Sequence, residues 1–156
     1  MPATQHTQDT RQTGHAPHSH LTALARTRDA HTALRRFLAL DAVVTGANGL
    51  AYLAASGPLG RFLGVDAGLL LALGAVLALY GAAVGLLASR ARPAAPPVRA
   101  VTETNVAWTG LSFLALGLWL TPSTAGTVWT VLQALAVAGF ATLQHLALRA
   151  RQDTSE

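Results

Sequence analysis

The stretch TNVAWTGLSFLALGLWLTPSTAGTVWTVLQALAVAGFATLQHLAL, residues 104–148, contains no Asp, Glu, Lys or Arg. It is long enough for two membrane-crossing helices of about 20 residues each and a turn. Thr121-Pro122 breaks helical continuity near its middle, so the stretch reads as a hairpin. Working outward, Ala67–Ser89 is equally uncharged, and Phe37–Ser56 carries only Asp41. A soluble four-helix bundle needs a polar stripe along each helix, and these segments have none. The expectation is an all-α protein, an antiparallel four-helix transmembrane bundle with spans near Phe37–Ser56, Ala67–Ser89, Val101–Leu120 and Thr127–Leu148.

The arginines give the orientation. Arg26, Arg28, Arg35 and Arg36 precede the first span, Arg90, Arg92 and Arg99 fall between the second and third, and Arg149 and Arg151 follow the fourth. Only Arg61 sits in the first outer connection, and the third connection has no basic residue. Basic residues near span ends resist translocation, so this partition predicts cytoplasmic termini and two short loops outside.

Composition narrows the function classes. The net charge of +4 invites a nucleic-acid reading, but the arginines are dispersed at span ends without aromatic interleaving. Orientation and contact with anionic lipid account for them, and no nucleic-acid partner is expected. The chain has no cysteine, which removes disulfides, thiolate nucleophiles and thiolate metal sites. Lysine and isoleucine are also absent, a bias that fits a very GC-rich bacterial coding sequence and points to the bacterial cytoplasmic membrane.

Residues 1–33 are polar and rich in Thr, Gln and His, which reads as a disordered cytoplasmic tail rather than a signal peptide. Within it, the portion from Leu21 to Arg36 has the pattern of a short amphipathic helix on the inner surface. The membrane domain is expected over 34–150, followed by a short tail at 151–156. Gly57-Pro58 ends span one as a turn, and Asp66 is placed to cap span two. Pro93, Pro96 and Pro97 stop any helix in the Ser89–Pro97 linker. Ser123 or Thr124 caps span four, and Trp119 and Trp129 flank the last outer turn as an aromatic belt.

A shift of 64 residues lays the first half on the second. It brings Arg35 onto Arg99, Asp41 onto Asn105, Thr45-Gly46 onto Thr109-Gly110, Leu50-Ala51 onto Leu114-Ala115 and Pro58 onto Pro122. Each half then reads as one helical hairpin in the same orientation, a parallel duplication.

Polar residues inside spans are costly in hydrocarbon unless partnered, so they are the candidate site. Asp41 lies about one turn into span one, with Thr45 and Asn48 continuing its face. Glu103 and Asn105 open span three, and Gln144 and His145 close span four at the same end. Gln133 falls near the depth of Asn48, roughly 18 Å from Arg36. Asp41, Glu103, Asn105, Gln144 and His145, with Arg36 or Arg99 nearby, make a polar ring at the inner rim. It reads either as register-fixing acids that neutralise arginines or as a proton-responsive or ligand-contacting site, with Asp41 and His145 paired as its titrating members.

Close helix packing is expected through Gly74, Ala78, Gly81 and Gly85 on one face of span two, with Gly110 and Gly117, and Ala134 and Ala138, as counterparts. His6, His15, His18, His20 and His31 lie in the tail, where flexible Pro17 and Ser19 do not build a metal site. No phosphate loop, catalytic carboxylate pair or nucleophile–base motif appears, so no cofactor, metal or enzymatic activity is expected.

The run Leu34-Arg-Arg-Phe-Leu-Ala-Leu-Asp41 continuing to Val44-Thr-Gly-Ala-Asn-Gly-Leu50, Asn105 with Trp108, and Leu143-Gln-His-Leu-Ala-Leu-Arg149 carry a resemblance over about residues 34–150. In these features the chain resembles small four-span bacterial integral membrane proteins of the actinobacterial type, a group without an assigned activity. A looser similarity in span count reaches DoxX-like proteins, without a matching motif. The expected role is a non-enzymatic accessory or scaffolding subunit, alone, as a homo-oligomer or with a membrane partner protein. The alternative is a small oligomeric transporter or channel, similar in size to small multidrug transporters.

Overall fold

The computed structural model describes the backbone of residues 18–118 and 120–153, and the side chains of 29–118 and 120–152. Among these residues there are four helices and no strand: α1 (His18–Leu63), α2 (Ala67–Ser89), α3 (Ala95–Leu118) and α4 (Thr124–Asp153). The expectations for residues 1–17, for Trp119 and for residues 154–156 lie outside the described residues. α1 from Asp29, α2, and α4 to Gln152 are each long and apolar enough to cross a membrane. α3 is not among them, because Glu103 and Asn105 dilute its apolar character near the start.

Helix ends follow from local chemistry. Asp66 caps α2, its carboxylate accepting the backbone N–H of Leu69 at 2.9 Å. Ser123 caps α4, its Oγ accepting the N–H of Gly126 at 3.1 Å. Ser123 also donates from its backbone N–H to the Leu63 carbonyl (3.0 Å) and from its hydroxyl to the Phe62 carbonyl (2.8 Å). These are among the last carbonyls of α1, which have no partner within their own helix. Gly64 turns the chain there at φ +69°, and a Cβ would collide with the Ser123 backbone.

Three expected boundaries are corrected. α1 begins at His18, so residues 18–33 are helical rather than disordered tail, and the amphipathic segment is continuous with the first span. It also runs through Pro58 to Leu63, placing Arg61 on a helix. Proline removes one backbone donor and crowds the preceding turn, and the chain absorbs this as a kink at Ala55 (φ −131°, ψ 30°) instead of ending. Pro96 and Pro97 lie in the first turn of α3, where a missing N–H costs nothing, so they open a helix instead of stopping one.

Packing is closest between α1 and α2. A Cβ on Gly49 would lie 2.5 Å from the Ala78 nitrogen, and one on Gly81 would lie 2.8 Å from the Gly46 nitrogen. Gly85 faces Ala42, so residues 42, 46 and 49 of α1 meet progressively earlier residues of α2 and the two run in opposite directions. α1 likewise meets α4, and α3 meets α4, over long seams, whereas α2 and α3 barely touch. The expected counterparts Gly110 and Gly117 are not contact glycines, since a Cβ on either meets nothing within 4 Å. Ala134 is fully buried.

The buried side chains divide by level. At the end where Arg35, Arg90, Arg99 and Arg149 lie (the basic end), Leu34, Leu38, Val84, Ala88, Val98, Val101, Ala147 and Leu148 form one dense core. Towards the opposite, distal end the buried apolar cluster is only Tyr52, Leu70 and Leu77.

Candidate functional site

Asp41 is fully buried and receives donors from three residues. Asn105 Nδ2 donates to its Oδ2 at 2.7 Å and Gln144 Nε2 to the same oxygen at 2.8 Å. Thr45 Oγ1, one turn along α1, donates to Oδ1 at 3.1 Å. Asn105 Nδ2 also reaches Gln144 Oε1 at 3.4 Å. Tyr80 of α2 donates to Asn105 Oδ1 (2.9 Å), with the Val101 carbonyl at 3.2 Å as a second acceptor. The carboxylate ties α1, α3 and α4 directly and α2 through Asn105, all with neutral donors. In apolar surroundings such side-chain bonds contribute about 0.6–2 kcal/mol each, and an unpartnered Asp would be far more costly.

The rest of the expected ring is elsewhere. Glu103 and His145 are exposed, and Arg36 and Arg99 are exposed without a bond to Asp41. Helical geometry explains this. Glu103 is two residues from Asn105 and His145 one from Gln144, so neither shares its neighbour's inward face. The pairing of Asp41 with His145 and the neutralisation of arginines by this ring are not what the fold builds. Among the described residues, no group of three His, Asp or Glu side chains is positioned to hold a metal ion.

A second polar group lies deeper, and it contains Gln133. Trp129 Nε1 donates to the Tyr52 hydroxyl at 2.8 Å and Gln133 Nε2 donates to the same oxygen at 2.7 Å. Tyr52 is 6% exposed. Tyr52 and Tyr80 were not anticipated from the sequence. Yet Tyr52 continues the face of Asp41, Thr45 and Asn48 at helical spacing, and Tyr80 and Gln144 are separated by the same 64 positions as Asp41 and Asn105. Bonds Tyr80–Asn105 and Gln144–Asp41 are thus related by the same 64-residue shift, as are Thr45–Asp41 and Thr109–Asn105 in position.

Two cavities open beside these groups. The smaller, about 100 Å³, is walled by Thr45, Asn48, Tyr80, Asn105, Trp108 and Gln133 among others. The larger, about 550 Å³, occupies the distal half between Tyr52, Leu70, Leu73, Trp108, Leu111 and Trp129. Trp108 and Gln133 line both, so the cavities adjoin. The Asp41 network forms the floor, and below it the dense core closes the basic end. Chemically, the network is an acceptor whose bonds are already made. The larger cavity is an apolar chamber with a few polar groups, within the roughly 300–1,000 Å³ typical of small-molecule sites.

No protein-family model, characterised protein or solved structure matches this chain.

Proposed function

We propose that this chain is a four-span integral membrane protein of the bacterial cytoplasmic membrane, an antiparallel bundle with both termini in the cytoplasm. Its role is non-enzymatic, as an accessory or scaffolding subunit of the resembled four-span group, alone, as a homo-oligomer or beside a membrane partner. The observation that carries this reading is the Asp41 knot. The buried carboxylate is held by Thr45, Asn105 and Gln144, so its bonds fix helix register. The outward apolar faces, with Leu40, Val43, Leu79, Leu86 and Leu146 exposed, support lipid contact, and the arginines at the basic end support anionic lipid on the cytoplasmic side.

The adjoining cavities favour a second reading, a small oligomeric transporter. The core of Leu34, Leu38, Val84 and Val98 closes the basic end and weighs against an open pore. C-terminal reporter fusions test topology: alkaline phosphatase activity at residue 156, which needs an external location, would overturn the four-span arrangement. Purification in mild detergent with mass spectrometry of co-eluting proteins tests the accessory role. Substrate flux into proteoliposomes that disappears with Asp41→Asn would replace it by the transporter reading.

A further inference from the structure

The larger cavity has properties that the register-fixing role of Asp41 does not use. Its lining carries no charged side chain, which excludes a charged headgroup as its occupant. Leu69 and Leu111, on α2 and α3, line it and are also exposed, and those two helices barely touch. The chamber therefore opens sideways, at the α2–α3 seam, onto the apolar outer face of the bundle.

Its polar groups are unequal. Ser112 and Thr130 donate their hydroxyl protons to the carbonyls of Trp108 and Gly126 on their own helices. The Tyr52 group is different, because its bonds leave a donor unspent. Tyr52 oxygen already accepts from Trp129 and Gln133, which uses both of its lone pairs and leaves its O–H proton unspent. Turning the Gln133 amide over lets Tyr52 donate to it, but frees two amide protons in its place. Either arrangement presents an unspent donor to the chamber. Trp108, at the junction of the two cavities, also has no acceptor for its indole N–H among the described residues. A donor left unpartnered in a nearly buried, apolar site is costly, and a ligand oxygen is what would satisfy it.

We propose that the distal chamber binds a neutral amphiphile from the bilayer, with a carbonyl-type oxygen accepting from the Tyr52–Gln133 group and an apolar body filling the space towards the α2–α3 seam. The lateral route of access rests on the membrane reading above; the chemistry of the chamber does not. Two sources supply this chemistry, the ester of an acylglycerol and the ring carbonyl of an isoprenoid quinone.

The test uses the full chain in lauryl maltoside micelles, with tryptophan fluorescence as the signal because Trp108 and Trp129 line the chamber. The probes are a dibrominated monooleoylglycerol, decylubiquinone, and dibromododecane as a quencher without oxygen. Saturable quenching is expected from at least one of the two carbonyl probes, and the stronger of them identifies the source. Tyr52→Phe or Gln133→Leu should weaken that probe about five- to tenfold, the size of one hydrogen bond, while leaving dibromododecane unchanged. Ala115→Phe, which fills the chamber, should abolish saturation while circular dichroism melting reports the fold intact. The proposal is overturned if neither carbonyl probe saturates, if Tyr52→Phe and Gln133→Leu bind as the parent does, or if a dimer shields the tryptophans from all three probes. Reporter fusions separate this failure from that of the membrane topology.

Discussion

The two ends of this bundle are packed to different densities. At the basic end, Leu34 of α1 and Val98 of α3 sit at positions related by the 64-residue shift, and both are wholly buried in one core. At the distal end the buried apolar residues include Tyr52, Leu63, Leu70 and Leu77, and a 550 Å³ chamber takes the space that side chains fill elsewhere. The difference arises at one seam. α1 lies along α4, stitched by Ser123 at the distal end and by Gln144 near the basic end. The equivalent pair, α2 and α3, barely touches and is joined by the Tyr80–Asn105 bond. The bundle is thus filled by side chains at the basic end and hollow at the distal end.

Substitutions can break this contrast, beginning with the glycines. Gly49→Leu puts carbon into the backbone of α2 and should cost about 3 kcal/mol or abolish folding, whereas Gly117→Leu, with nothing within 4 Å, should be neutral. Thermal unfolding in detergent compares the two; equal losses would mean α1 and α2 are not in this contact. Next come the cores. Leu38→Ala in the dense end should cost about 2 kcal/mol or more, and Leu73→Ala on the chamber wall less than about 1 kcal/mol, because a void already adjoins it.

The network between the halves should give intermediate values and a diagnostic sign. Gln144→Leu removes one partner of Asp41 and should cost about 1–2 kcal/mol. Adding Asp41→Leu should then cost less than it does alone, since the bonds are shared, and strictly additive losses would refute the contact. The smallest effect sharpens the comparison most. Ala115→Leu, facing the chamber, should leave stability within about 1 kcal/mol or raise it, while Ala88→Leu in the dense core should lower it by about 1–3 kcal/mol.

Much of this arrangement was readable from residue order alone. Charge-free runs located the helices, and Asp41, Asn105 and Gln144 stood out because polar groups in apolar helices need partners. Glu103 and His145 were grouped with them by depth, and depth ignores the angle around the helix, which puts them outside. Tyrosine is at home in apolar segments, so composition marks neither Tyr52 nor Tyr80, although Tyr52 continues the face of Asp41, Thr45 and Asn48 and Tyr80 stands 64 positions before Gln144. The chamber was beyond reach. It depends on which of two equivalent seams closes, and that is settled by contacts among all four helices rather than by any segment.

The Asp41 bonds also set an order of assembly. Asn105 lies 64 residues after Asp41 and Gln144 lies 103 after it, so both partners are made later than the helix that needs them. At translation rates of about 5–20 residues per second, roughly 5–20 s pass between synthesis of Asp41 and that of Gln144. Through that interval the first hairpin, already matched by its glycines, holds a carboxyl whose only bonding neighbour is Thr45. That group stays short of two of its three partners until α3 and α4 emerge. Completion of the last helix is then what closes the network around Asp41.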